Sequence, residues 1–179
     1  MVPILFLTGP IGVGKTTLGI GLAEALGGTF VEGDDFQAPD RPWHASSLRV
    51  ARGVVEAASS AAADGPVVAG YPLRCIDYLY LRGRLAERGL ETLFVNLSLP
   101  AARILAPERD RAFTPWERTR IAEMIAQGYD RRPWADLHFE PADAPVGDNL
   151  SGLLAALTQF GIAPPDQSVP SDDPPGGWV

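Results

Sequence analysis

Lys15 is the only lysine in a chain of 179 residues whose Lys and Arg together number 15. It stands in Gly9-Pro10-Ile11-Gly12-Val13-Gly14-Lys15-Thr16-Thr17, which fits the pattern G-x-x-x-x-G-K-[ST]. That spacing suits the binding of phosphate groups. Glycines let backbone N–H groups turn inward around an anion, and a following helix offers the positive end of its dipole. An ammonium is a compact charge with three donors that fits between β- and γ-phosphate oxygens, whereas guanidinium is a planar fork. Thr16 adds a hydroxyl suited to Mg²⁺. Gly9, Gly12, Val13, Gly14, Lys15, Thr16 and Thr17 are therefore the expected nucleotide contacts, and Lys15 is also placed to serve phosphoryl transfer.

A second group of candidates follows in Phe30-Val31-Glu32-Gly33-Asp34-Asp35-Phe36. Residues i and i+2 of a strand point to one side, so Glu32 and Asp34 would face the same pocket. Transfer to a hydroxyl needs an acceptor for the hydroxyl proton and an oxygen ligand for Mg²⁺. Asp35 reads as a turn cap. Farther on, Arg103, Arg109 and Arg111 could clamp β- and γ-phosphates, with Glu108 and Asp110 as alternative partners for them. Arg118 and Arg120 are expected on an exposed helix face. On the acceptor side the candidates are Arg41, Trp43, His44, Tyr71, Arg74 and Tyr78, with Arg41, Tyr71 and Arg74 foremost. Aromatic rings with a few polar groups suit a small ligand. His138 reads as core or edge-strand packing.

These groups need strand ends and helix starts to hold them. Residues 2–8 read as a buried strand and 17–27 as a helix with Leu18, Leu22, Ala25 and Leu26 on one face. Strands are predicted over 28–32, 66–70, 92–97 and, weakly, 137–140. Helices are predicted over 46–63, with Leu48, Ala51, Val55 and Ala58 inward, and over 75–88, with Ile76, Tyr80, Leu81 and Leu85 inward. The stretch 101–111 reads as helical, then arginine-rich. Thr114-Pro115-Trp116-Glu117 has the residues of a capping box with proline at N1, opening a helix to about 127. A last helix spans 150–160, and the Pro- and Asp-rich residues from 164 to 179 read as a disordered tail. Alternating strands and helices imply a five-stranded parallel sheet in a three-layer α/β/α fold, with ligands beyond the carboxyl ends of the strands.

Composition limits the partners. A net charge of −7 leaves no basic field for nucleic acid or anionic membranes, and two histidines with one cysteine make a structural zinc site unexpected. Cys75 is expected to pack rather than react. The absence of a long apolar run and of a signal-like start points to the cytoplasm.

Residues 1–162 resemble the small-molecule branch of the nucleoside-kinase-like P-loop proteins, with gluconate and shikimate kinases the nearest. The segment 30–36 resembles their Asp-x-Asp stretch, with Glu32 in place of the first Asp. Val67-Val68-Ala69-Gly70-Tyr71-Pro72-Leu73-Arg74 and Leu81-Arg82 resemble the gluconate-kinase stretch after the third strand, where Gly70-Tyr71-Pro72 replaces Cys-Ser-Ala. Residues 107–120 resemble the arginine-bearing lid. The resemblance implies a kinase domain over 1–162 with a tail over 163–179. It implies ATP and Mg²⁺ as cofactors, Thr16 and Glu32 toward the metal, and Asp34 as the base that orients the hydroxyl. Asp34, Arg41, Tyr71 and Arg74 would meet a small acceptor such as a sugar acid, a cyclitol or an antibiotic. A nucleoside or nucleotide kinase, with Trp43, Tyr71 and Tyr78 around a second base, and a nucleotide-dependent switch remain alternatives. A monomer and a homodimer are both open.

Overall fold

A computed structural model describes residues 2–39, 43–107 and 112–165, with only the backbone described at 43–45. Five strands, β1 (Ile4–Thr8), β2 (Thr29–Glu32), β3 (Val67–Gly70), β4 (Thr92–Leu97) and β5 (Leu137–Phe139), form one sheet in the order β2-β3-β1-β4-β5. Every pairing is parallel. The expected fold class is observed. Parallel strands need crossovers, and helices supply them on both faces: α1 (Lys15–Ala25), α2 (Trp43–Ala61), α3 (Cys75–Ala86), α4 (Ala101–Ile104), α5 (Pro115–Ala126) and α6 (Val146–Leu157).

β1 shows how the sheet feeds two cores. Leu5 and Leu7 pack with Leu18 and Leu22 of α1 and Leu153 and Leu157 of α6. Ile4 and Phe6 point the other way, toward Val50 and Val54 of α2 and Leu81 and Leu85 of α3, as the two-residue strand period requires. Phe6 stacks on Phe94 at 4.8 Å between centroids.

Helix phase is where the sequence reading needs correction. In α2, Leu48 is 52% exposed, and the core face is Val50, Ala51, Val54, Val55 and Ala58. In α3, Ile76 is 67% exposed, while Tyr78, Leu81 and Leu85 face inward. Two contacts set the rotation of α3: Asp77 holds Arg74 across the first turn, and the Tyr78 ring stacks against Trp134 at 4.4 Å. Cys75 is exposed at the start of α3 rather than packed. His138 lies exposed on the edge strand β5. The capping box of α5 forms as expected, with Thr114 and Glu117 bonded reciprocally. α4 is a single turn, and α6 begins four residues before its expected start. No helix among the described residues is long and apolar enough to cross a membrane.

Candidate active site

β1 is buried throughout and ends at Thr8, delivering the chain into the glycine-rich loop. Gly9, Gly12 and Gly14 have φ of 141°, 76° and 107°, values that L side chains rarely adopt. At Gly12 the need is doubled, since a Cβ there would run into the Phe113 ring. Val13 is buried in the core beneath and anchors the loop. Gly14 caps α1 without any side-chain bond, so no capping side chain covers the first-turn N–H groups. Lys15 Nζ donates to the carbonyls of Pro10 at 2.8 Å and Gly9 at 3.2 Å. The ammonium thus lies folded over its own loop.

The first acidic residue meets this loop directly. Thr16 Oγ1 donates to Glu32 Oε2 at 2.7 Å. The other Glu32 oxygen accepts from the Asp34 N–H at 3.5 Å, capping the 3₁₀ turn Gly33–Phe36. Asp34 Oδ1 accepts from Gln37 Nε2 at 2.5 Å. Gly33 permits close approach, because a Cβ there would strike the Tyr71 side chain. Lys15, Thr16, Glu32, Asp34 and Tyr71 all line one cleft of about 940 Å³. Asp35 lies in the same turn without lining the cleft.

One arm of the cleft runs past Tyr71 toward Arg120 and Tyr129. Burial, and then the charges of Asp34 and Asp77, push the Tyr71 phenol well above its ordinary value of 10.0, so it stays a neutral donor. Arg74 does not line the main cleft. It makes a two-pronged ion pair with buried Asp77, Nε to Oδ2 and Nη2 to Oδ1 both at 2.8 Å, and this bond raises its pKa. Its guanidinium faces a side hollow of about 290 Å³ shared with Arg120, Gln127, Tyr129 and Arg132.

Arg120 corrects the expectation of an exposed position. It is 9% exposed and lines both the cleft and the hollow, with Glu123 at 3.0 Å. Arg132 lies on the Tyr129 ring, 3.7 Å from its centroid. Burial pulls its pKa below the usual guanidinium range. Arg132 Nε is the one fully buried side-chain polar atom without a hydrogen-bond partner among the described residues. The turn that carries Tyr129 and Arg132 is held from below by buried Asn96 at the end of β4. Its Oδ1 accepts from the Arg132 N–H at 2.7 Å, and its Nδ2 donates to the Tyr129 carbonyl at 3.0 Å.

The other arm leads from the glycine-rich loop past Arg103 to the segment 141–146 and Asn149. Arg103 Nη1 lies 3.7 Å from Glu140. The facing loop, Pro141-Ala142-Asp143-Ala144-Pro145, has few bulky side chains, so its backbone forms much of the wall.

Several expected residues fall elsewhere. Arg41, Arg109 and Arg111 lie outside the described residues. Trp43 and His44 are in the first turn of α2, where only the backbone is described. Tyr78 is packed against Phe94 and Trp134, away from the cleft. Sequence reasoning missed Gln37, Arg120, Tyr129, Arg132 and Asn149. For Arg120 a signal existed: Trp116, Arg120 and Met124 recur at helical spacing, and all three line the cleft.

No family model matches the sequence, and no curated protein matches it. Solved structures do. A gluconokinase from Sinorhizobium meliloti 1021 is 19% identical, with a TM-score of 0.71, over 88% of this chain and 93% of that one. The chain has the fold of the small-molecule P-loop kinases. A shikimate kinase from Acinetobacter baumannii, in complex with shikimate, matches at 19% identity and a TM-score of 0.65 over 90% of this chain and 96% of that one. The Mycobacterium tuberculosis APS kinase CysC, in complex with AMPPNP and APS, matches at 17% identity and a TM-score of 0.63, over 87% and 97%. Within this P-loop kinase fold the glycine-rich loop, the acidic turn and both arms of the cleft lie beyond the carboxyl ends of the strands.

Proposed function

We propose that this protein is an ATP- and Mg²⁺-dependent phosphotransferase acting on a hydroxyl of a small acceptor that carries an anionic group. The observation that carries the reading is the 2.7 Å bond from Thr16 to Glu32, with Lys15 and Asp34 on the walls of the same cleft. A hydroxyl and a carboxylate are hard oxygen donors of the kind Mg²⁺ takes alongside phosphate oxygens and water. Bound there, the metal would neutralise phosphate charge. Lys15 would leave the carbonyls of Gly9 and Pro10 for the β- and γ-phosphates, and the N–H groups of Gly12 to Thr17 would hold the remaining oxygens. Asp34 would accept the proton of the acceptor hydroxyl as the oxygen attacks phosphorus, with Gln37 fixing the carboxylate.

The anionic preference rests on charge pairing. Arg74 is balanced by Asp77 and Arg120 by Glu123, but Arg132 has no carboxylate partner among the described residues. A carboxylate or phosphate in the hollow would supply the missing counter-ion at reduced desolvation cost, since the guanidinium is already half-buried, with its Nε fully so. Tyr71 would present its phenol to the acceptor. Arg103 and the 141–146 wall would form a slot for the nucleotide base, a planar cation facing small residues.

Residues 1–162 would be the catalytic unit and 107–120 its lid, with Arg109 and Arg111 reaching the phosphates on closure. Phe113, in the described part of that segment, packs on Gly12. The gluconokinase, shikimate kinase and APS kinase likenesses support phosphotransfer to a small molecule. The test is ADP release from ATP–Mg²⁺ across hydroxy acids, neutral polyols, nucleosides and hydroxyl-bearing antibiotics. Stimulation by hydroxy acids, lost in Lys15→Ala and in Asp34→Asn, is the expected result. Stimulation only by neutral acceptors would overturn the anionic assignment, and turnover indifferent to every acceptor would overturn transfer.

A further inference from the structure

Asn149 lies in the first turns of α6 and lines the cleft, yet its side chain is fully engaged with the neighbouring loop. Its Oδ1 accepts from the Ala142 N–H at 2.6 Å. Its Nδ2 donates to the carbonyls of Ala142 at 3.2 Å, Ala144 at 3.1 Å and Pro145 at 3.4 Å. One amide therefore grips both ends of the segment 142–145. An amide nitrogen has two hydrogens for these three carbonyls, so at least one is shared.

Apart from the Asp148 and Asn149 N–H groups, which donate to the Pro145 carbonyl at 3.1 and 3.2 Å, that loop has little else to hold its shape. Residues 142–148 are exposed and belong to neither core, and Pro145 is the one proline among them; Pro141, just before, is buried. From 142 to 145 no strand pairing supports the chain, which lies between the end of β5 and the start of α6. Arg103 lines the same arm of the cleft, with its Nη1 3.7 Å from Glu140, the residue before Pro141.

We infer that Asn149 is a positioning residue for the nucleotide base: it sets the backbone wall that faces Arg103 and so fixes the width of the base slot. The inference rests on the proposed nucleotide site and adds a determinant of base affinity to it. Asn149 touches the loop rather than the phosphates, so its effect should be confined to ligands that carry a base. The slot width matters because a planar ring gains contact only when both walls lie within van der Waals distance.

The experiment measures dissociation constants by calorimetry for ATP and for inorganic triphosphate, each with Mg²⁺, in the unaltered protein, Asn149→Ala and Asn149→Asp. Asn149→Asp keeps the shape but turns a donor into an oxygen facing three carbonyls, which separates hydrogen bonding from packing. Both variants should weaken ATP about ten-fold, as expected for one or two net hydrogen bonds, and leave triphosphate affinity unchanged. Amide exchange should speed up at 142–146 and stay constant in the glycine-rich loop. Unchanged ATP affinity in both variants, equal losses for ATP and triphosphate, or unchanged exchange at 142–146 would each overturn the role. Failure of the unaltered protein to bind ATP would instead overturn the nucleotide site itself.

Discussion

The proposed phosphate end and the proposed acceptor end of the cleft are built in opposite ways. At the phosphate end, nine consecutive residues, Gly9 to Thr17, provide the backbone cradle, the ammonium and the hydroxyl. At the proposed acceptor end, Asp34, Tyr71, Arg120, Tyr129 and Arg132 come from four separate stretches, and the turn bearing the last two is held by Asn96 on β4. A contiguous site depends on local backbone geometry. A dispersed site depends on packing between separate stretches, as Arg132 on the Tyr129 ring shows. The phosphate end therefore defines a reaction class, and the acceptor end a substrate.

Substitutions at each end should separate these roles. The largest effect belongs to Lys15→Ala, which should lower kcat by about a thousand-fold, since it removes charge aimed at the transferring group. Asp34→Asn should lower kcat about a hundred-fold while leaving the ATP dissociation constant in place. A parallel loss of ATP affinity would mean that Asp34 belongs to the phosphate end. Arg132→Gln should raise KM about ten-fold for anionic acceptors and leave neutral ones untouched. Arg132→Lys should not restore it, because an ammonium cannot reproduce the flat contact on Tyr129.

The smallest effect concerns pH. The unfolded Tyr71 phenol ionises near 10.0, and the folded one only at higher pH. Between those values the native state binds the extra proton, so stability is complete below pH 10 and falls as pH rises further. Urea midpoints measured from pH 9 to 11 should decline less steeply in Tyr71→Phe. Equal slopes would mean that the phenol is not shielded.

The same contrast explains what could be read in the chain. The loop, the capping box at Thr114–Glu117 and the alternation of strands and helices are local patterns, and all were legible. Glu32 was legible too, because strand alternation aims it toward Thr16. Helix rotation was not. Ile76 fits an apolar spacing as well as Tyr78 does, and only the Arg74–Asp77 bond and the Tyr78–Trp134 stack decide between them. Arg120 shares helical spacing with Trp116 and Met124, but its burial follows only once Tyr129 and the cleft are in place beside it. Asn149 is one polar residue near a helix start, and its loop-gripping role depends on where Ala142 and Ala144 lie.

The most direct test of the central claim is phosphorus NMR of ATP–Mg²⁺ turnover with a panel of small hydroxy acids. A phosphate monoester resonance should grow with ADP when a suitable acid is present, and appear about a hundred-fold more slowly with Asp34→Asn. Inorganic phosphate alone, formed at the same rate with and without every acid, would contradict it.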